Sequence, residues 1–108
     1  MSLTPLTYQI LLALADEPRH GYGIIKEIEL REGAAAAPST GALYLAVQRM
    51  ESEGLLEEAP RPRGETDARR RYYRLTPAGK GAAREESARM AALVAAAREK
   101  NLLPEGLR

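Results

Sequence analysis

Apolar positions recur at helical spacing in three short stretches, alternate over a few residues in the middle of the chain, and return to helical spacing in a long final stretch. In residues 39–56, STGALYLAVQRMESEGLL, Leu43, Val47 and Met50 fall at intervals of four and three with Ala46 between them. That spacing puts one apolar stripe on a helix beginning near Thr40. Pro38 keeps the chain out of helical geometry just ahead of Ser39, whose hydroxyl can cap the helix start. Gly54 stands where a left-handed C-terminal cap belongs, and Leu55 and Leu56 restart the chain as a buried extended segment. Thr40, Tyr44 and Gln48 form a second stripe, uncharged and able to hydrogen-bond.

Two helices precede this one. Thr4 and Pro5 open the first, with Thr as cap and Pro at the first helical position. Leu6, Ile10, Ala13 and Leu14 make its core face, Pro18 ends it, and Tyr8 and Leu11 lie off the stripe toward a neighbouring element. Residues 20–32, HGYGIIKEIELRE, place Ile24, Ile25 and Ile28 inward and Lys26, Glu27, Glu29 and Arg31 outward, with Gly33 as terminator. Residues 33–38, GAAAAP, connect to the third helix, so three short helices precede any strand. Residues 55–59 and 69–75 then read as two strands of a hairpin joined by the proline- and arginine-rich tip PRPRGETDA. Within RRRYYRL, Tyr73 and Leu75 alternate with Tyr72 and Arg74, giving one packed and one wet face.

Thr76 and Pro77 repeat the cap-plus-proline start, and the pattern stays helical to about Asn101, roughly 37 Å at the rise of an α-helix. Ala83, Met90, Leu93, Val94 and Ala97 form its apolar stripe, with Arg84, Glu85, Glu86, Arg89, Arg98 and Glu99 around it. A helix that outruns its own core leaves apolar surface for a second chain to cover, which predicts a dimerisation arm. The alternative is an arm folded back over its own domain, where the many alanines permit close packing. The fold class expected is mainly α with a small β-hairpin: a winged helix-turn-helix over residues 1–76, then a C-terminal dimerisation helix and tail over 77–108.

Composition narrows the function classes. The chain has 108 residues, 44% hydrophobic and 29% charged, which suits one ordered domain with a modest core. It has neither Phe nor Trp, so five tyrosines are its only aromatic rings apart from His20. The absence of cysteine excludes disulfides and thiolate metal sites and fits a reducing cytoplasm. No signal-peptide pattern and no membrane-length apolar run appear, so a cytoplasmic protein without a membrane partner is expected. His20 is the only histidine, and capping or packing near a helix start suits it better than metal ligation. No nucleophile with base and orienter, no phosphate-cradling glycine loop and no metal cluster is present, so neither enzymatic activity nor a cofactor is expected. Glu51, Glu53, Glu57 and Glu58 read as solvated carboxylates.

The net charge of +1 is uninformative, but its distribution is not. Six arginines between residues 61 and 74 stand against Glu65 and Asp67, a local balance of +4 that leaves −3 for the rest. A helix entering a DNA major groove needs small or hydrogen-bonding residues in its first turns. Ser39, Thr40, Gly41, Ala42 and Tyr44 meet that need. An arginine loop beside it suits phosphate or minor-groove contact. Taken singly, the helix is an ordinary surface helix and the loop a solvated turn.

The segments LTYQILLAL, HGYGIIKEI, STGALYLAVQRMESEGLL and RRRYYRLTPAGK, in this order and spacing, resemble the short form of the PadR family of transcriptional regulators. The resemblance runs from about Thr4 to the end of the last helix. It departs at Ala42, where the family usually has Thr, and at Leu45, where it usually has Pro. It implies that Ser39, Thr40, Gly41 and Tyr44 lie at or near DNA, on a face where the pattern of the residues also puts Ala42 and Gln48 as DNA-binding candidates, and that Arg63, Arg69, Arg70 and Arg71 of the wing touch backbone or minor groove. It further implies a two-fold homodimer joined through the last helix, with recognition helices about 34 Å apart on a pseudo-palindromic double-stranded operator. Repression, and a small-molecule effector that relieves it, are also implied. The rival readings are a winged-helix module that binds a protein instead of DNA and, from a third class, an enzyme.

Overall fold

Residues 3–106 are described by a computed structural model. Helix α1 spans Pro5–Ala13, and the Thr4 hydroxyl accepts the Thr7 N–H at 3.2 Å. Strand β1 is the pair Arg19–His20, followed directly by α2 over Gly21–Glu32. A single 3-10 turn at Ala34–Ala36 occupies the small-residue connector. Helix α3 covers Thr40–Ser52, β2 Leu56–Ala59, β3 Tyr72–Leu75 and α4 Pro77–Glu99. The terminal residues 1–2 and 107–108, which belong to the expected domain ranges, lie outside the described residues.

The caps predicted from sequence form as local chemistry requires. Ser39 Oγ accepts the Ala42 N–H at 3.1 Å, and Thr76 Oγ1 accepts that of Gly79 at 3.0 Å. At the end of α3, Gly54 takes a positive φ of 78°, the Leu55 N–H reaches the Met50 carbonyl at 2.9 Å, and the Gly54 N–H reaches that of Glu51 at 3.0 Å. Two otherwise unpaired carbonyls are thereby satisfied, and the chain turns sharply into β2.

Three expectations need correction. A strand does precede α2: Arg19 and His20 pair antiparallel with Tyr73 and Tyr72, giving a three-stranded sheet in the order β1-β3-β2 rather than a bare hairpin. Two residues carry no alternation of their own, so this strand exists only through its partner. The second hairpin strand begins at Tyr72, not Arg69. Asp67 diverts the chain there, its carboxylate accepting the Arg69 N–H at 2.9 Å and its carbonyl the Arg70 N–H at 3.2 Å, a local turn that competes with the ladder. Lastly, Leu11 is fully buried while Leu6 is only partly so. Because α1 packs on α2, α3 and α4 at once, it has no single inward stripe.

The core is formed by Ile10, Leu11, Ile24, Leu43, Val47 and Met50, closed on the sheet side by Leu56, Tyr73 and Leu75. Helix α4 joins it only through its first turns, where Ala82 and Ala83 pack against the cluster. There the Tyr8 hydroxyl meets Ser87 Oγ at 2.6 Å, and buried Glu86 accepts from the Arg89 guanidinium, which foremost holds its carboxyl below the usual range. Farther out, Leu93 and Val94 remain 57% and 44% exposed. The arm is therefore not folded back over its own domain, and the molecule measures 51 × 28 × 25 Å.

Candidate nucleic-acid interface

Burial of Leu43, Ala46, Val47 and Met50 fixes the rotation of α3, and Ser39, Thr40, Gly41, Tyr44, Leu45 and Gln48 are thereby left exposed. No charged residue occurs between Pro38 and Gln48. Ala42 is exposed as well but borders the groove formed by Leu6, Ile28 and Pro38, so it stands at the margin of this face. Gly41 has regular helical geometry, and a β-carbon there would meet nothing within 4 Å. The protein's own packing gives no reason for a glycine that costs roughly 0.5–1 kcal/mol relative to alanine in a helix.

Tyr44 is positioned by a residue the sequence analysis did not single out. Its ring lies over Gly21, where an added β-carbon would stand 2.6 Å from Tyr44 Cζ. The first residue of α2 thus has to be small for the hydroxyl end of the Tyr44 ring to come this close to it. Nothing in the HGYG stretch announces this, because the contact crosses between two helices.

The wing is the loop of residues 60–71 between β2 and β3. Its arginines are less free than a count of charges suggests. Arg69 pairs with Asp67 at 3.2 Å, Arg70 with Glu65 at 3.2 Å, and Arg71 with Glu58 at 3.2 Å, while on the strands Arg74 pairs with Glu57 at 2.8 Å. Arg61 donates to the Ala68 carbonyl at 3.0 Å. Arg63 is exposed and forms no ion pair among the described residues. Exposed pairs of this kind are worth little in water and can be exchanged for phosphate contacts. Glu65 is a different case, with only 10% of its side chain exposed. The Tyr72 hydroxyl foremost, then the Asp67 N–H and the Arg70 guanidinium, hold its carboxyl down at about 2.

His20 occupies the capping role expected for it. Its Nδ1 accepts the Gly23 N–H at 3.1 Å at the start of α2, and its ring meets that of Tyr72 edge-on with centroids 5.2 Å apart. Burial, with Arg70 second, lowers its pKa below the ordinary 6.5. Among the described residues no three His, Cys, Asp or Glu side chains gather into a metal site, and no helix is long and apolar enough to cross a membrane. On the arm, Ala83 packs against its own core, Met90 and Ala97 are partly buried, and Leu93 and Val94 are exposed.

Three helices with a capped, exposed third helix, a three-stranded wing and a long trailing helix define a winged helix-turn-helix protein. The model for the transcriptional regulator PadR-like family matches residues 10–85, and the chain belongs to that family. Membership makes it a regulator rather than an enzyme. It is 40% identical over 78 residues to the transcriptional regulator Rv3488 of Mycobacterium tuberculosis, spanning 71% of this chain and 67% of that one. It is 42% identical over 84 residues to an uncharacterized 37.1 kDa protein in transposon TN4556 of Streptomyces fradiae. That alignment takes in 78% of this chain but only 22% of the transposon protein. Among solved structures, a PadR family transcription regulator from Clostridium difficile R20291 superposes with a TM-score of 0.77 at 25% identity, covering 89% of this chain and 97% of that one. Bacillus subtilis PadR in complex with operator DNA shares the fold with a TM-score of 0.65 at 23% identity, over 76% of this chain and 46% of that one.

Proposed function

We propose that the chain is a sequence-specific DNA-binding repressor that acts in the cytoplasm as a homodimer on a pseudo-palindromic operator. The observation that carries this reading is the face of α3: capped, uncharged, exposed, and holding a glycine that internal packing does not require. A helix with those properties can come close to a groove, and Thr40, Tyr44 and Gln48 carry groups that pair with base edges or phosphates. Bacillus subtilis PadR, which shares this fold, is solved in complex with operator DNA, which supports DNA as the partner. Residues 1–76 would form the DNA-binding unit and 77–108 the dimerisation helix and tail, with Met90, Leu93, Val94 and Ala97 at the two-fold axis and Ala83 nearest the winged domain. An effector, if one relieves repression, would bind where α4 leaves the winged domain.

Mobility shift of the chain's own promoter region across a salt series tests this reading. Affinity should fall steeply with salt, Arg63→Ala should lower the logarithmic salt slope by about 1, and the joint change of Arg69, Arg70 and Arg71 to alanine should lower it further. Thr40→Ala should weaken the promoter site more than random duplex. Failure to shift any duplex at low salt, together with a stable hetero-complex, would establish a protein-interaction module instead.

A further inference from the structure

Glu65 is a carboxylate in the middle of the arginine-rich loop that, on the reading above, approaches a polyanion. By charge alone it should repel phosphate. Its surroundings are nevertheless built to keep it ionised and in place: the Tyr72 hydroxyl donates to it, the Asp67 N–H at 3.0 Å and Arg70 at 3.2 Å do the same, and little of it reaches solvent. Its main chain is engaged too. The Glu65 N–H closes a turn onto the Pro62 carbonyl at 3.2 Å, with Gly64 at a φ of 93°. Arg63, which forms no ion pair among the described residues, occupies the apex of that turn. Tyr72 in turn pairs with His20 across the sheet and touches its ring, and His20 caps α2. A continuous line of contacts therefore runs from the helix-turn-helix to the tip of the wing, and Glu65 is its last link.

We propose that Glu65 is a positioning residue for DNA binding: it locks the wing turn so that Arg63 is presented to the phosphate backbone, and it thereby strengthens the complex in spite of its negative charge. The inference rests on the DNA-binding reading. The loop's order is established before DNA arrives, so the complex does not bear the cost of ordering several long side chains. Arg70 is then chiefly a structural partner of Glu65, and Arg63 leads the wing arginines that meet DNA.

The test compares variants whose charge effects and positioning effects have opposite signs. The probe is a duplex enriched from a random library by the wild-type protein, titrated at several salt concentrations. Glu65→Ala and Glu58→Gln each remove one negative charge, the first from the wing and the second from the strand that leads into it. Charge alone predicts tighter binding for both. The positioning role predicts tighter binding for Glu58→Gln and roughly tenfold weaker binding for Glu65→Ala, the scale of re-ordering a few side chains. Tyr72→Phe, which leaves charge unchanged, should weaken binding in the same direction, and Glu65→Gln, which keeps an acceptor for Tyr72 and the Asp67 N–H, should restore most of the affinity. Arg63→Ala should cost less in the Glu65→Ala background than in wild type, a non-additivity that general unfolding would not produce. Melting temperatures of all variants confirm that each is folded. Binding by Glu65→Ala as tight as that of Glu58→Gln, with wild type binding normally, would overturn this inference alone; a wild type that binds no duplex would overturn the DNA reading beneath it.

Discussion

The α-carbon of Gly79 lies directly against the main-chain carbonyl of Leu55, so that an added β-carbon would stand 3.1 Å from the carbonyl carbon and closer still to its oxygen. The same carbonyl accepts the Thr76 N–H at 3.1 Å, while the Thr76 hydroxyl donates to the Gly54 carbonyl at 2.5 Å. The start of α4 is thus moored to the turn that ends α3. Glycine to alanine ordinarily stabilises a helix, but here the neighbour is backbone and cannot step aside. Gly79→Ala is expected to lower stability by about 1–3 kcal/mol, the usual cost of forced overpacking. Gly81→Ala, two residues on and facing open space, should raise it by roughly 0.5–1 kcal/mol. Thermal melts of the two variants should therefore move in opposite directions.

Gly21 faces the end of a side chain rather than backbone, so the outcome differs. Gly21→Ala should leave the melting temperature nearly unchanged, because Tyr44 can swing away. DNA affinity should drop on the order of tenfold, the scale of one lost base-edge contact. Parallel melting and mobility-shift measurements separate the two effects; an equal loss of stability would show that Tyr44 is not free to move.

His20 makes stability depend on pH with a definite sign. Its folded pKa lies below the unfolded value of 6.5, so the unfolded chain binds the extra proton more readily. Stability is full above that value and is lost as pH falls from it through the lowered folded pKa, below which no further loss arises from this group. Protonation removes the acceptor for the Gly23 N–H and places a cation at a helix start, which the helix dipole disfavours. Glu65 titrates near 2 and does not enter this window. Melting temperatures of the wild type between about pH 5 and 7.5, a range that brackets an ordinary histidine, should decline toward acid, whereas His20→Asn, which caps without titrating, should flatten the curve.

Leu93 and Val94 should decide assembly. Replacing both with glutamate puts charge where the two arms are proposed to meet, and sedimentation should then report single chains where wild type gives pairs. Operator affinity should fall with it, since one recognition helix per molecule loses the second half-site.

Much of the fold was legible because its signals are local. Thr4, Ser39 and Thr76 each stand at a helix start and each accept the N–H three residues on; Gly54 takes the backbone geometry that only its position required. What was not legible depends on partners far along the chain. Arg19 and His20 become a strand only because Tyr72 and Tyr73 lie beside them, and Leu11 is buried only because α1 has neighbours on several sides. The exposed face of α3 followed from the burial of Leu43, Val47 and Met50, whereas Gly21 beneath Tyr44 did not. Strand alternation located the wing, but the charge balance said nothing of its pairing: Arg74 and Glu57 face one another only once the register of β2 and β3 is known, and Glu65, a single minus charge in the sequence, is the side chain on which the loop closes.

The mooring of α4 has a mechanical corollary. Because one uninterrupted helix begins on the turn at the end of α3 and runs outward past Met90, any tilt imposed on its free end acts like a crowbar on the winged domain. In the proposed dimer, the roughly 15 Å of helix beyond Met90 would convert a small change in how two arms cross into a comparable displacement of each reading head, enough to throw the pair out of step with the duplex.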